Sequence, residues 1–241
     1  MSVDVSVLIR GFPGRADVSF LGWSTVALIQ TDGKRILFDT GAHGARPMLL
    51  EALKSGGLTT KDIDAVFLSH LHFDHCANIT LFPHATFFLS RREWEYANTR
   101  DDVFVQEGVL AYLKVFDKTL LGDEETAIAR DVTTLHTPGH TPGGTSLMIR
   151  QETETWGLTG DAVKNRTELD PALISMTQSA EDSADSIARV RARCARILPG
   201  HDCWLRLRDG KACPEERCFV NITLPAGLKG GDDGVFRLSV E

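Results

Sequence analysis

The chain is 241 residues long, enough for one sizeable core and short for two independent domains. Hydrophobic residues make up 42% and charged residues 24%, an ordinary globular balance that excludes fibrous, collagen-like and wholly disordered classes. The net charge of −7 is a poor footprint for a phosphate backbone, so nucleic acid is not expected as a partner.

Residues 3–10 alternate with β-branched side chains and read as a first strand. They carry no basic n-region and no small-residue cleavage site. No apolar run approaches the ~20 residues that span a bilayer, so the expectation is a soluble, cytoplasmic protein with no membrane partner. Residues 18–31 hold a second strand-like run centred on Val26-Ala27-Leu28-Ile29, and 35–39 a third, ended by the turn Thr40-Gly41. Residues 46–55 have helical spacing, with Met48, Leu49, Leu50 and Leu53 apolar. Thr60 is expected to cap a short turn leading into a buried strand over 63–69.

A strand at 86–89 and a helix over 91–97 come next. Residues 98–122 look irregular and aromatic and are the candidate cap over a cleft. Strands are expected at 132–135, 145–149 and 155–158. Ser179-Ala180-Glu181-Asp182 has the form of a capping box that opens a helix to about residue 195. A last strand, 196–198, precedes Pro199-Gly200-His201, and the glycine- and aspartate-rich stretch 227–234 is expected to be loose. The five cysteines, Cys76, Cys194, Cys203, Cys213 and Cys218, are odd in number and without a secretory signal, which argues for reduced thiols. Cys213 and Cys218 are too isolated to make a four-ligand zinc site. With no short repeat and no regular βαβ alternation, the chain reads as one α/β domain over 1–241, two sheets face to face with helices outside.

The chemistry concentrates at strand ends. In Ser69-His70-Leu71-His72-Phe73-Asp74-His75, extended backbone sends His70 and His72 to one side, so both can converge on one ion. If the chain then turns, Asp74 and His75 face a second ion. A His-rich surface loop is the bland alternative, but the run follows an apolar strand directly. His140 sits in a turn fixed by Pro138, Gly139, Pro142 and Gly143. Asp161 follows a strand and can bridge two cations with one oxygen, and His201 ends another strand. Taken singly, each of these three reads as an ordinary turn residue; the conjunction carries the signal. Imidazole and carboxylate at this density suit zinc, with manganese, iron or cobalt accommodated.

This order, H-x-H-x-D-H and then His, Asp and His, resembles the metallo-β-lactamase superfamily, as does Asp39-Thr40-Gly41; the likeness covers about 28–202. It implies an αβ/βα four-layer sandwich. It further implies that His70, His72 and His140 hold one metal, that Asp74, His75 and His201 hold another, and that Asp161 bridges. Asp39 would then steady a ligand or its loop. A hydroxide shared by two zinc ions would attack a substrate carbonyl, and Asp74 would shuttle a proton.

The words around His70–His75, His140 and His201 are similar to the N-acyl homoserine lactonases, which implies a small-molecule ester or lactone as substrate. Those enzymes carry a tyrosine three residues after the bridging Asp. Here Lys164 stands there, and Tyr96 and Tyr112 lie elsewhere. Lys164 is either a positive donor to an oxyanion or substrate carboxylate or a solvated lysine. Glyoxalase II-type thioesterases share the ligand set but have a helical, basic C-terminal region. Asp39-Thr40-Gly41, 78–83 and Pro199-Gly200-His201 also resemble the small metallo-β-lactamase-domain proteins connected with RNA cleavage. A non-catalytic metal-binding or sensing module is the alternative of another class, and a homodimer is open. Among other residues, His43 is a candidate cleft residue, His84 a surface one and His136 a ligand-supporting or strand-end one. Trp23, Phe73, Phe104, Tyr112 and Trp204 are candidates for an apolar substrate wall.

Overall fold

The computed structural model describes residues 2–99, 101–228 and 235–240. In the first half, β1 (Asp4–Ile9), β2 (Val26–Thr31) and β3 (Lys34–Phe38) form an antiparallel meander. Helix α1 (Arg46–Ser55) leads to β4 (Ala65–Phe67), and the four-residue helix α2 (Phe73–Cys76) follows it. Next come β5 (Thr86–Ser90), α3 (Arg91–Thr99), α4 (Glu107–Val115) and β6 (Lys118–Leu121). The sheet runs in chain order from β1 to β6, with β3 to β6 parallel.

The second half supplies β7 (Ala127–Ala129), β8 (Val132–His136), β9 (Thr145–Arg150) and β10 (Thr155–Gly160). Helix α5 (Ala180–Arg193) crosses over to β11 (Arg196–Pro199), which pairs parallel with β10. Strands β12 (Leu205–Arg208) and β13 (Lys211–Pro214) complete a sheet of order β13-β12-β11-β10-β9-β8-β7. A separate ribbon pairs β14 (Cys218–Thr223) with β15 (Val235–Val240).

Why two sheets pack face to face follows from the period of two in the strands. Ala27, Ile29, Ile36, Phe38, Ala65 and Phe67 point into a core shared with Val132, Leu147, Ile149, Leu158 and Leu198 of the other sheet. Their neighbours Val26, Leu28, Leu37 and Val66 point the other way, onto Leu49 and Leu53 of α1 and Val109, Leu110 and Leu113 of α4. On the far side, Ile187 and Val190 of α5 cover Met148, Ile197 and Leu205. Both faces of each central strand are buried, so the strands read as continuous apolar runs. The order helices, sheet, sheet, helix is the expected four-layer sandwich.

Three expectations are corrected. Residues 98–122 are not one irregular cap: α4 and β6 lie within them, and α4 buries Val109, Leu110 and Leu113 in the core. No side chain caps α4, and its second residue is Gly108, a poor helix former, so its sequence lacks a start signal. The strand placed at 18–31 begins only at Val26, and the capping residue of the short turn is Thr59, not Thr60. The loose stretch 227–234 lies outside the described residues from 229 onward; Leu228 is exposed. Ser179 does cap α5, accepting from the Asp182 N–H.

Candidate metal centre

All seven ligand candidates meet at one edge of the sandwich, four from the first sheet and three from the second. Strand β4 ends at Phe67, and the chain runs through His70 and His72 before turning into α2, which carries Asp74 and His75. The tight turn between β8 and β9 presents His140, the end of β10 presents Asp161, and the end of β11 presents His201. Gly200 lets that last loop approach: a Cβ there would overlap Asp161 Oδ1.

The candidate ligand atoms of His70, His72 and His140 lie within 4.8 Å of one another, as do those of Asp74, His75 and His201, and those of His70, His75 and Asp161. Asp161 stands between the first two groups. Its Oδ2 is 3.3 Å from His140 Nε2, while Oδ1 is 3.2 Å from both His75 Nε2 and His201 Nε2. The two oxygens thus face different groups of imidazoles. Asp74 Oδ2 lies 3.4 Å from His201 Nε2 and 3.6 Å from His75 Nε2.

Each imidazole is oriented from behind. His70 Nδ1 is 3.0 Å from Ser69 Oγ, His75 Nδ1 is 2.7 Å from Asp39 Oδ2, His140 Nδ1 donates to Met176 O at 2.8 Å, and His201 Nδ1 donates to Trp23 O at 3.0 Å. In the neutral ring that a metal would bind, an acceptor behind Nδ1 places the proton there and leaves the Nε2 lone pair facing the cluster. Asp39, fully buried, also accepts from Ser69 N and Ser69 Oγ, both at 2.8 Å. Buried Glu93 of α3 accepts from the Leu71 N–H at 2.9 Å, holding the ligand run against the helix.

The electrostatics are those of a cation site. Burial, together with the surrounding imidazoles, holds His70 well below the usual histidine range, and burial pushes His140 down to about 4. Burial opposes charge on His75 too, yet Asp74, Asp161 and Asp39 pull it well above the usual range. His201 is raised against its own burial by Asp161. For Asp161, burial is outweighed by His201, His75 and His140, which hold the carboxylate well below its usual range. His70 Nε2, His75 Nε2 and Asp161 Oδ1 are buried and make no hydrogen bond to the described residues. Three converging orphaned atoms in an all-imidazole and carboxylate set fit divalent metals of the zinc type.

A cavity of about 690 Å³ opens onto this edge. Phe20, Phe73 and Phe104 form one wall, with ring centroids 6.1 to 6.4 Å apart, and Tyr96, Lys164 and Gln178 lie along it as polar groups. Lys164 is no solvated lysine: its ammonium pairs with the buried Glu168 at 2.9 Å, and its side chain is 12% exposed. Of the other expected wall residues, Trp204 is buried between the sheets, Trp23 stacks on Phe12, and Tyr112 is half exposed beside Phe116. His43 and His84 are exposed, and His136 faces Pro142 O at 3.1 Å. Cys76 turns its thiol to the Leu71 and His72 carbonyls; Cys218 lies by Cys203 and Asp202 and not by Cys213.

Sequence reasoning missed Asp102, whose Oδ2 is 3.2 Å from His72 Nε2, and set aside Tyr96, whose hydroxyl donates to the same oxygen at 2.6 Å. Asp102 has no motif around it. Tyr96 had a readable signal, since it falls one helical turn after Glu93 on α3.

The sequence pattern of the metallo-beta-lactamase superfamily matches residues 22–201. An N-acyl homoserine lactonase of Rhizobium radiobacter is 33% identical over 169 residues, 64% of this chain and 63% of that protein. An N-acyl homoserine lactonase from a Bacillus species is 32% identical over 161 residues, 64% and 62% of the two chains. The chain thus matches less than two thirds of these relatives' length. Among solved structures, a probable metal-dependent hydrolase from Staphylococcus aureus superimposes with a TM-score of 0.72 at 18% identity, covering 87% of this chain and 94% of that one. An N-acyl homoserine lactone hydrolase with N-hexanoyl-L-homoserine at its catalytic metal centre superimposes with a TM-score of 0.67 at 21% identity, covering 83% and 93%.

Proposed function

The chain belongs to the metallo-β-lactamase superfamily, and from that premise we propose that it is a metal-dependent hydrolase opening the ester bond of a small lactone, with N-acyl homoserine lactones as the substrate class. The observation that carries this reading is the cavity of about 690 Å³ whose floor is the paired ligand groups and whose wall is Phe20, Phe73 and Phe104. That volume suits a drug-sized ligand, and an aromatic wall beside a polar floor suits an amphipathic one. The relatives named as N-acyl homoserine lactonases support it.

In this reading His70, His72 and His140 hold one divalent ion, Asp74, His75 and His201 hold a second, and Asp161 lies against both. Bound zinc supplies Lewis acidity toward a carbonyl and acidifies water to near neutral pH; manganese, iron and cobalt suit the same donors. The protein's own residues do the rest. Asp74 is half-buried at the cavity floor and can accept and pass on a proton. Burial and Asp102 push the Tyr96 phenol up to about 12, so it keeps its proton at neutral pH and goes on donating it to Asp102. Lys164, fixed by Glu168, offers its remaining donors to a developing oxyanion. The phenylalanine wall excludes water from the acyl side of the substrate.

Metal analysis followed by a substrate panel tests the reading. Two equivalents of metal and lactone hydrolysis that chelator abolishes are expected. Metal-loaded protein inert toward lactones, or faster on S-lactoylglutathione or single-stranded RNA, overturns it.

A further inference from the structure

Four of the five clustered histidines have Nδ1 tied to an acceptor and Nε2 facing inward; His72 is reversed. Its Nδ1 lies 2.9 Å from His140 Nε2, inside the cluster, while its Nε2 points out to Asp102. A neutral imidazole carries one proton, and nothing in the ring itself selects which nitrogen holds it. An ionised carboxylate beside Nε2 does select, because it can only accept. The proton then sits on Nε2, and the Nδ1 lone pair is presented to the cluster.

Asp102 is not a chance neighbour in this position. Its Oδ1 accepts from the Phe104 N–H at 2.8 Å, and its Oδ2 takes the Tyr96 hydroxyl as well as His72. The Gln178 amide in turn donates to the Tyr96 oxygen. Its loop is sewn to the ligand run by backbone too: Phe73 N donates to Phe104 O at 2.8 Å, and His72 bridges Val105. Both side chains are nearly out of water, with His72 8% and Asp102 9% exposed. The same loop contributes Val103 and Phe104 to the cavity.

We propose that Asp102 is a positioning residue that fixes the Nε2-protonated form of His72, and that Tyr96 and Gln178 hold Asp102 to that geometry. The proposal rests on the reading of the cluster as a metal centre. It also makes the cavity loop and one metal site a single mechanical unit, so that whatever displaces Phe104 disturbs His72.

Two measurements on the full chain test it. Long-range nitrogen-15 NMR of the metal-free protein should show His72 Nε2 carrying a proton in the wild type, whether or not Nδ1 shares one with His140, and a fraction of molecules with Nε2 bare in Asp102→Ala. Competition against a chelator should show one zinc held about 10–100-fold more weakly in Asp102→Ala, the other unchanged. Asp102→Asn must turn its NH₂ group on either the Phe104 N–H or His72 Nε2, so it should lose affinity as Asp102→Ala does. Should Asp102→Ala fail to fold, Asp102→Ser carries both readings. Unchanged His72 protonation together with wild-type affinity for both zinc ions overturns the proposal. If the wild type takes up no metal, the metal-centre reading fails by itself, and the NMR measurement still decides what Asp102 does.

Discussion

Replacing Asp39 with asparagine should cripple metal binding in a protein that still folds. The carboxylate accepts from Ser69 N at Oδ1 and takes both Ser69 Oγ and His75 Nδ1 at Oδ2. Asparagine can keep its oxygen on Ser69 N, but an NH₂ group then occupies the other place. One of its hydrogens meets His75 Nδ1, which must become an acceptor, and the His75 proton moves to Nε2. The second meets Ser69 Oγ, whose own hydrogen turns to His70 Nδ1, 3.0 Å away. That moves the His70 proton to Nε2 as well. A single substitution therefore places protons on two nitrogens that face the cluster.

Binding a metal through those atoms forces both protons back, leaving two opposed N–H or O–H donors at about 1–3 kcal/mol each. The total of about 2–6 kcal/mol corresponds to roughly 30-fold to 10⁴-fold weaker zinc, at about 1.4 kcal/mol per decade. The variant also takes a buried charge partner from His75, so the metal-free protein should keep its fold but melt several degrees below wild type. Chelator competition and thermal melting check the two halves. An Asp39→Asn protein that folds and binds two zinc ions as tightly as wild type would refute the tautomer argument.

Gly200→Ala should lose metal affinity, because the new Cβ overlaps Asp161 Oδ1 and must push that carboxylate aside; zinc titration of the folded variant reads it. Phe104→Ala removes one of the three mutually contacting rings of the wall, and should raise KM for a long-chain acyl lactone about 10-fold with little effect on a short-chain one. Asp202 is buried, and that burial is outweighed by Arg166, 2.7 Å away, which holds its carboxyl below the usual range. Its contribution is therefore complete above the unfolded value of about 3.9 and is lost as pH falls through the lower folded value. Asp202→Asn should destabilise the chain by roughly 3 kcal/mol at pH 7, and melting curves should show the gap closing below about pH 4. Added zinc at 1,000 times its Kd should stabilise the wild type by about 4 kcal/mol, read as a rise in Tm that chelator reverses.

Where side chains and chain order coincide, the sequence was legible. The run from His70 to His75 declares itself because ligands stand at a strand end within six positions, and the buried central strands declare themselves as apolar runs. The supports behind the ligands were legible only in part. Asp39 was placed through its turn, but Met176 and Trp23 act through backbone oxygens, which any residue type supplies. Asp102 reaches His72 across a loop whose course depends on tertiary packing, and no periodicity encodes it. Lys164 was left open between a donor and a solvated lysine because its partner Glu168, one turn further on, is buried by contacts from elsewhere in the fold. Helix α4 escaped because its evidence lies in packing rather than in a cap.

The seven candidate ligands are split between the sheets, four following β4 and three at the ends of strands β8, β10 and β11. Loaded ions would therefore act as a clasp across the mouth of the sandwich, adding to the few hydrogen bonds that join the halves there, such as Thr145 N to Ser69 O and Thr25 N to Gly200 O. Amide protons flanking the clasp should exchange slowly only while it is fastened, and neither half carries enough donors to fasten it alone.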